Sequence, residues 1–281
     1  MKGKFDTVIT AKNSPFKLNI REVVKYKDLT WLFVQRDFKT RYKQTILGPL
    51  WFILQPLLTT FVFTIVFGYI AKLSTEGVPQ FLFYLAGNVP WLFFAACLNR
   101  TSRTFYDNAR LFSRVYFPRM ITPLASVITC FFDFLIQFTM FIIIDVVFII
   151  TGANVGITIY ALLSPVLILQ MGLLGMSIGL IISSLTVKYR DLQVLVSFGV
   201  QLLMYLAPIV YSASSIKNET LHTFIMLNPM SPIIELMKKG FIGTGSTPWL
   251  FWVISGAITL LIAFFAIIIF NKTERNFIDN I

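Results

Sequence analysis

Charge is what this sequence has least of. Only 13% of its residues are Asp, Glu, Lys or Arg, where soluble domains average about 25%. By contrast, 56% are apolar and 16% aromatic. So few charges cannot cover a water-facing surface, which excludes an ordinary soluble domain. Cysteine is nearly absent: Cys97 and Cys130 both fall in apolar runs. Thiols placed there are expected to be small buried groups rather than a disulfide or metal ligands. His222 is the single histidine, so no His-based metal site is supported. There is no glycine-rich loop ending in Lys-Ser or Lys-Thr to cradle nucleotide phosphates; Gly3-Lys4 is followed by Phe5. Carboxylates and His/Cys groups are not clustered in any loop, as an enzyme acting on a sugar would need.

What the sequence has is long apolar runs. Six qualify as spans, near residues 47–71, 80–98, 120–150, 157–186, 193–211 and 249–270. They are continuously apolar rather than alternating, so helices are expected and not strands. The second run carries Gly87, Asn88 and Pro90 and is expected to break near its middle. With the N-terminus placed in the cytoplasm, 20 of the 24 Lys and Arg fall on the inner side. That asymmetry supports both the orientation and an even number of spans. It also accounts for the net charge of +11 as attraction to the inner leaflet, without nucleic acid as a partner. Residues 1–24 are polar and basic, so the first span is expected to direct insertion.

Three regions carry patterns beyond hydropathy. Trp31, Val34, Phe38 and Tyr42 share one helical face before the first span, with Arg36, Asp37 and Lys43 opposite. This spacing predicts an amphipathic helix in the membrane interface, either a plain anchor or a docking surface. The loop Asn99–Met120 holds five arginines and one acid, with Leu111, Phe112, Val115, Tyr116 and Pro118 at helical spacing. Its aromatics have no obvious core of their own, so a protein contact is expected, with packing against the bilayer face as the alternative. The outer loop 212–248 reads as two short helices split at Asn228-Pro229 and Ser231-Pro232. They could dip into the membrane or cap it.

Within the spans, Trp51, Gln55, Thr59 and Phe63 follow one another every four residues, with Pro56 beside them. Gln193, Ser197, Gln201, Tyr205, Pro208 and Ser212 make a second stripe in the fifth run. Lipid penalises such faces. They are expected either to hydrogen-bond between helices or to line a passage for a bulky polar substrate such as a glycan. Gly175 and Gly179 form a small-xxx-small pair for close helix packing. Asp133 and Asp145 are the acids deep in spans, Asp133 being expected to bond Thr129 or Gln137 on its own helix.

The runs "RYKQTILGPLWFILQPLL" (41–58), "NARLFSRVYFPR" (108–119) and "LNPMSPIIE" (227–235) resemble the permease subunits of ATP-binding-cassette exporters of bacterial polysaccharides. The resemblance spans nearly the whole chain. It implies an all-α integral membrane protein with six transmembrane helices, an N-terminal amphipathic interface helix, a cytoplasmic coupling helix and short outer gate helices. Residues 1–46 would form the cytoplasmic N-terminus, with the interface helix about 28–45. The six-span domain would cover 47–270 and a cytoplasmic tail 271–281. It further implies a homodimer, two copies of a cytoplasmic ATPase that hold ATP and Mg, no cofactor on this chain, and no catalysis by it. The substrate would be a glycan on undecaprenyl diphosphate.

The residues implied follow from the motifs. ATPase coupling would fall to Asn108, Leu111, Phe112, Arg114, Val115, Tyr116 and Phe117, with Arg36, Arg41, Lys188 and Arg190. Trp51, Gln55, Thr59, Phe63, Gln201 and Tyr205 would line the channel, with Tyr69, Tyr84 and Tyr211 near its outer mouth. Asn228, Pro229, Pro232 and Glu235 would sit in the outer gate. A type-2 exporter of small amphiphilic drugs or lipids would share this architecture. A membrane transferase would turn over without an ATPase, and an ion-coupled transporter would need Asp133 or Asp145.

Overall fold

The structure, a computed structural model, describes residues 24–42, 48, 50–112, 114–115, 117–187 and 191–279, the side chains of 41, 42 and 275–279 excepted. Tyr116, Lys188 and Arg190 lie outside the described residues, as does the side chain of Arg41.

Ten α-helices make up the described chain: α1 (Lys27–Tyr42), α2 (Leu50–Phe63), α3 (Gln80–Ser102), α4 (Thr104–Phe112), α5 (Ile121–Ile150), α6 (Ser164–Thr186), α7 (Leu192–Tyr205), α8 (Glu219–Met226), α9 (Met230–Ile242) and α10 (Trp249–Asp279). A π-helical turn, Thr64–Ile70, extends α2, and a 3₁₀ turn, Ile159–Leu163, leads into α6. No strand occurs among the described residues. Five elements are long and apolar enough to cross a membrane: Leu50–Ile70, Gln80–Ser102, Ile121–Ile150, Ile159–Thr186 and Trp249–Glu274.

The expected fifth span behaves differently. Helix α7 has only 14 residues, about 21 Å at 1.5 Å per residue, short of the ~30 Å hydrocarbon core. The chain then leaves helical geometry at 206–212. Pro208 lacks the N–H that would continue the ladder. Ala207, Ile209, Val210 and Ala213 are nonetheless buried. Irregular backbone in an apolar bundle is tolerated where protein surrounds it.

α3 is the central helix, buried along most of its length. It does not break at Gly87, Asn88 and Pro90 as its composition suggested. Asn88 Nδ2 donates to the Pro56 carbonyl at 3.4 Å and to Thr60 Oγ1 at 3.3 Å, which ties α3 to α2. Gly87 lets Ile209 approach: an added Cβ would lie 3.0 Å from the Ile209 Cα. Gly175 and Gly179 do what their spacing predicts. A Cβ at Gly179 would sit 2.6 Å from Thr101 Cβ and 2.8 Å from the Leu98 carbonyl, so α6 and α3 meet backbone to backbone.

Cys97 and Cys130 are buried and free. Asp133, expected to bond within its own helix, pairs across helices. Its Oδ2 accepts from Arg100 Nη2 at 2.6 Å, across from α5 to α3. Further along the bundle, Trp252 Nε1 donates to Gln170 Oε1 at 2.9 Å, Gln170 Nε2 donates to Ser255 Oγ at 2.8 Å, and Ser255 Oγ donates to the Pro229 carbonyl at 2.6 Å. This chain of bonds satisfies a glutamine amide inside the bundle and links α6, α10 and the start of α9.

A second, smaller core lies at the end of the bundle that carries α1 and α4. Phe33 and Val34 of α1 pack there with Phe105, Phe112, Phe117, Ile121, Leu180, Ala266 and Phe270. Because α1 buries Phe33 beside Val34, its packed face is rotated from the Trp31–Val34–Phe38–Tyr42 row. Trp31 stays 51% exposed and meets Phe132 edge-on.

Candidate functional site

The candidate site has three parts: a polar knot at one end of the bundle, an exposed stripe along two helices, and a basic end. The knot joins three stretches that are distant in sequence. Lys238, fully buried on α9, donates to the Pro208 carbonyl at 2.6 Å and to that of Ile209 at 3.4 Å. Its ammonium also sits 3.7 Å from the centre of the Phe83 ring. Burial pulls the ammonium down to about 8, opposed by the charges of Glu235 and Glu76.

Glu76 accepts from the Ser212 and Ser214 hydroxyls through Oε1 and from the Gly245 amide at 2.9 Å through Oε2. Burial opposes its ionisation. The hydroxyls, the amide and Lys238 outweigh this and hold the carboxyl below its ordinary range. Glu76 adopts φ +57°, a left-handed conformation uncommon outside glycine. Three hydrogen bonds over-determine that backbone. Glu235 is also buried, and its Oε2 accepts from the Ser246 amide at 2.9 Å and the Ser246 hydroxyl at 3.1 Å. Gly245, at φ +101°, lies so close that a Cβ would be 3.2 Å from Glu235 Oε2.

The knot locks the break after α7 to the loop after α2 and to α9. Of the residues expected in an outer gate, Glu235 and Pro232 are buried, while Asn228 and Pro229 are half-buried. The chain splits once, between α8 and α9, and not again at Ser231-Pro232. Pro232 sits in the first turn of α9, where a missing N–H costs nothing. Asn228 Oδ1 accepts from the Met230 amide at 3.1 Å and caps that turn. Lys238 and Glu76 were not singled out in the sequence. Their signals were faint: a Lys three residues after a Glu, and an acid in a short loop.

Along α2, Trp51 and Gln55 are exposed and Thr59 is half-buried, but Phe63 is buried. Every fourth residue advances 400°, so a row of i+4 steps drifts 40° per step and has turned about 120° by its fourth member. Phe63 has therefore rotated into the core. On α7, Ser197, Gln201 and Tyr205 are exposed, whereas Pro208 and Ser212, beyond the helix end, are buried. Tyr69 is 70% exposed and Tyr211 is half-buried. Tyr84, expected near a channel mouth, is fully buried because it belongs to the central helix.

At the basic end, α4 runs from Thr104 to Phe112, earlier than the expected Asn108–Phe117. Phe112 and Phe117, expected to offer their rings to a partner, are buried in the second core. Phe112 meets Phe105 edge-on, and Arg119 lies over its ring. Arg114 and Val115 are exposed; Asn108 and Leu111 are half-buried. Arg119 Nη1 donates to the Glu274 carbonyl at 2.6 Å, which fastens this segment to α10. Beside α4 is a cavity of about 640 Å³ between α1 and the ends of α3 and α5. No group of three or more potential metal ligands occurs among the described residues.

A bundle that is all-helical among the described residues, with five helices long and apolar enough to cross a membrane, defines an integral membrane protein. The profile of the ABC-2 type transporter family matches residues 28–242. The chain belongs to that family. It is 28% identical over 258 residues to the O-antigen export system permease protein RfbA of Klebsiella pneumoniae, covering 90% of this chain and 94% of the relative. It is 26% identical over 220 residues to the RfbA of Myxococcus xanthus, covering 78% and 81%. It is 25% identical over 219 residues to the polysialic acid transport protein KpsM of Escherichia coli, covering 75% and 81%.

Proposed function

We propose that this chain is the transmembrane subunit of an ATP-driven polysaccharide exporter in a bacterial cytoplasmic membrane. The observation that carries the reading is the pair of polar stripes. Gln55 beside Trp51 on α2, and Ser197, Gln201 and Tyr205 on α7, stay uncovered on otherwise apolar helices. Lipid cannot hydrogen-bond an amide, so these faces need protein or water against them. Amides bond sugar hydroxyls and aromatic rings stack on sugar faces, which fits a glycan passing between two copies of the chain. The relatives' named roles in O-antigen export and polysialic acid transport agree.

The finer assignments follow. α7 and the buried segment after it together cross the membrane as the sixth span. The basic end faces the cytoplasm, in keeping with the Lys/Arg asymmetry. The chain pairs with itself, and two ATPase chains, which hold ATP and Mg, bind beneath α4. The glycan rides on undecaprenyl diphosphate. ATP closes the ATPase pair, α4 moves, and the interface between permeases opens. This requires ATP to bind the two states with different affinity.

The test is copurification with the candidate ATPase, followed by ATP-dependent uptake of lipid-linked glycan into inverted vesicles. Uptake by wild type and its loss in Gln201→Leu with ATPase still bound supports the reading. ATPase activity stimulated by amphiphilic drugs and not by glycan would move the chain to the drug-exporter branch.

A further inference from the structure

We propose that the cavity between α1 and the basic ends of α3, α4 and α5 is a binding site for a zwitterionic phospholipid headgroup, a phosphate ester carrying a primary ammonium. The cavity, about 640 Å³, falls within the range of small-molecule sites, about 300–1,000 Å³. Arg36, Arg100, Arg103, Asp37 and Asp107 line it, with Phe33 forming an apolar wall. The lining therefore mixes three guanidinium groups with two carboxylates. A diphosphate would meet the two carboxylates, and a simple cation would meet the three arginines. A ligand with both signs, a few ångströms apart, suits all five.

The pairing inside the cavity leaves capacity for such a ligand. Arg100 spends Nη2 on Asp133 at 2.6 Å, while its buried Nη1 has no hydrogen-bond partner among the described residues. Arg103 Nε and Asp107 Oδ1 are 3.7 Å apart, an ion pair too long to be a hydrogen bond. Arg100 and Arg103 both line the cavity, and their guanidinium forks match phosphate oxygens. Asp107 is held above its ordinary range by burial, opposed by Arg103 and reinforced by the charge of Asp37. An ammonium placed against Asp107 and Asp37 relieves that repulsion. Arg36 pairs with Asp37 at 2.8 Å and keeps this wall in place.

A lipid is the source the position favours. α1 lies along α5 with Trp31 exposed and Val34 buried, as an interfacial helix does at headgroup depth. The site rests on the membrane reading of the fold and not on the exporter reading, so it stands or falls by binding alone.

The test is native mass spectrometry of the purified full-length chain. It is titrated with phosphatidylethanolamine, phosphatidylcholine and phosphatidylglycerol of one acyl composition, with undecaprenyl diphosphate and with soluble phosphoethanolamine. Phosphatidylethanolamine should exceed phosphatidylglycerol and phosphatidylcholine by roughly tenfold, since charge-assisted bonds from a primary ammonium are lost in both. Asp107→Asn should remove that preference, and Arg103→Gln should weaken all three phospholipids. Both side chains are half exposed, so unchanged melting temperatures will show that the variants fold. Equal binding of the three phospholipids, or a preference untouched by Asp107→Asn, overturns the proposal. Stronger binding of undecaprenyl diphosphate overturns it in favour of a substrate site. Binding of soluble phosphoethanolamine as tight as the lipid removes the lipid source.

Discussion

The Lys238 ammonium lies 2.6 Å from the carbonyl of Pro208, so a buried charge on α9 holds the point where the chain leaves α7. Buried carbonyls outside a helical ladder need donors from elsewhere. Here a lysine from another element supplies the donor. Removing it should loosen the segment at 206–213. Lys238→Met is expected to cost about 1–3 kcal/mol through unsatisfied buried carbonyls. Hydrogen exchange should rise at 206–213 more than in α3, and a uniform change would contradict the local role.

The same lysine carries a pH signature. Its folded value, about 8, is below the ordinary 10.5. Between these values the unfolded chain binds the proton that the folded chain has released. Stability conferred by this position should therefore rise as pH climbs from 8 towards 10.5 and stay level below 8. Melting curves of wild type minus Lys238→Met across that window will measure it. A difference that falls with pH would refute the sign.

Arg100 and Asp133 form a partly buried pair at 2.6 Å. Asp133→Asn should destabilise the bundle by about 3–5 kcal/mol by stranding the guanidinium. Arg100→Met with Asp133→Leu should recover most of it, because replacing both partners removes the uncompensated charge. Thermal unfolding of the three variants decides this, and a double variant no better than the single would refute it.

Two glycines in helices separate packing from flexibility. Gly179→Ala places a Cβ 2.6 Å from Thr101, whereas Gly199→Ala meets nothing within 4 Å. The first should cost about 1–3 kcal/mol from overpacking. The second should gain up to ~1 kcal/mol from helix propensity, unless a second copy of the chain covers that face. Melting temperatures of the purified variants test both.

The basic end offers a second contrast. Val115→Asp should abolish capture of the ATPase while leaving the melting temperature unchanged, since Val115 is exposed. Phe112→Ala should lower stability by about 3–5 kcal/mol, as a buried aromatic. Capture retained by Val115→Asp would place the ATPase contact elsewhere.

Hydropathy along the chain determined the membrane class, five of the six expected spans as long apolar helices, the helix α1 and the helix pair α8 and α9. Each depends on local composition and on periodicity within one element. The glycines of α6 were legible for the same reason: a small-xxx-small spacing has one principal use. Tertiary structure decided the rest. Phe112 read as an exposed aromatic and Tyr84 was expected near a channel mouth, yet both are buried, because the neighbours that cover them come from other helices. Phe63 left its stripe by helical drift. Lys238, Glu76 and Ser212 meet across distant stretches of chain, and Arg100 reaches Asp133 from another helix. Such pairings depend on how each helix is rotated and how deep it sits, and no spacing within a single element carries that information.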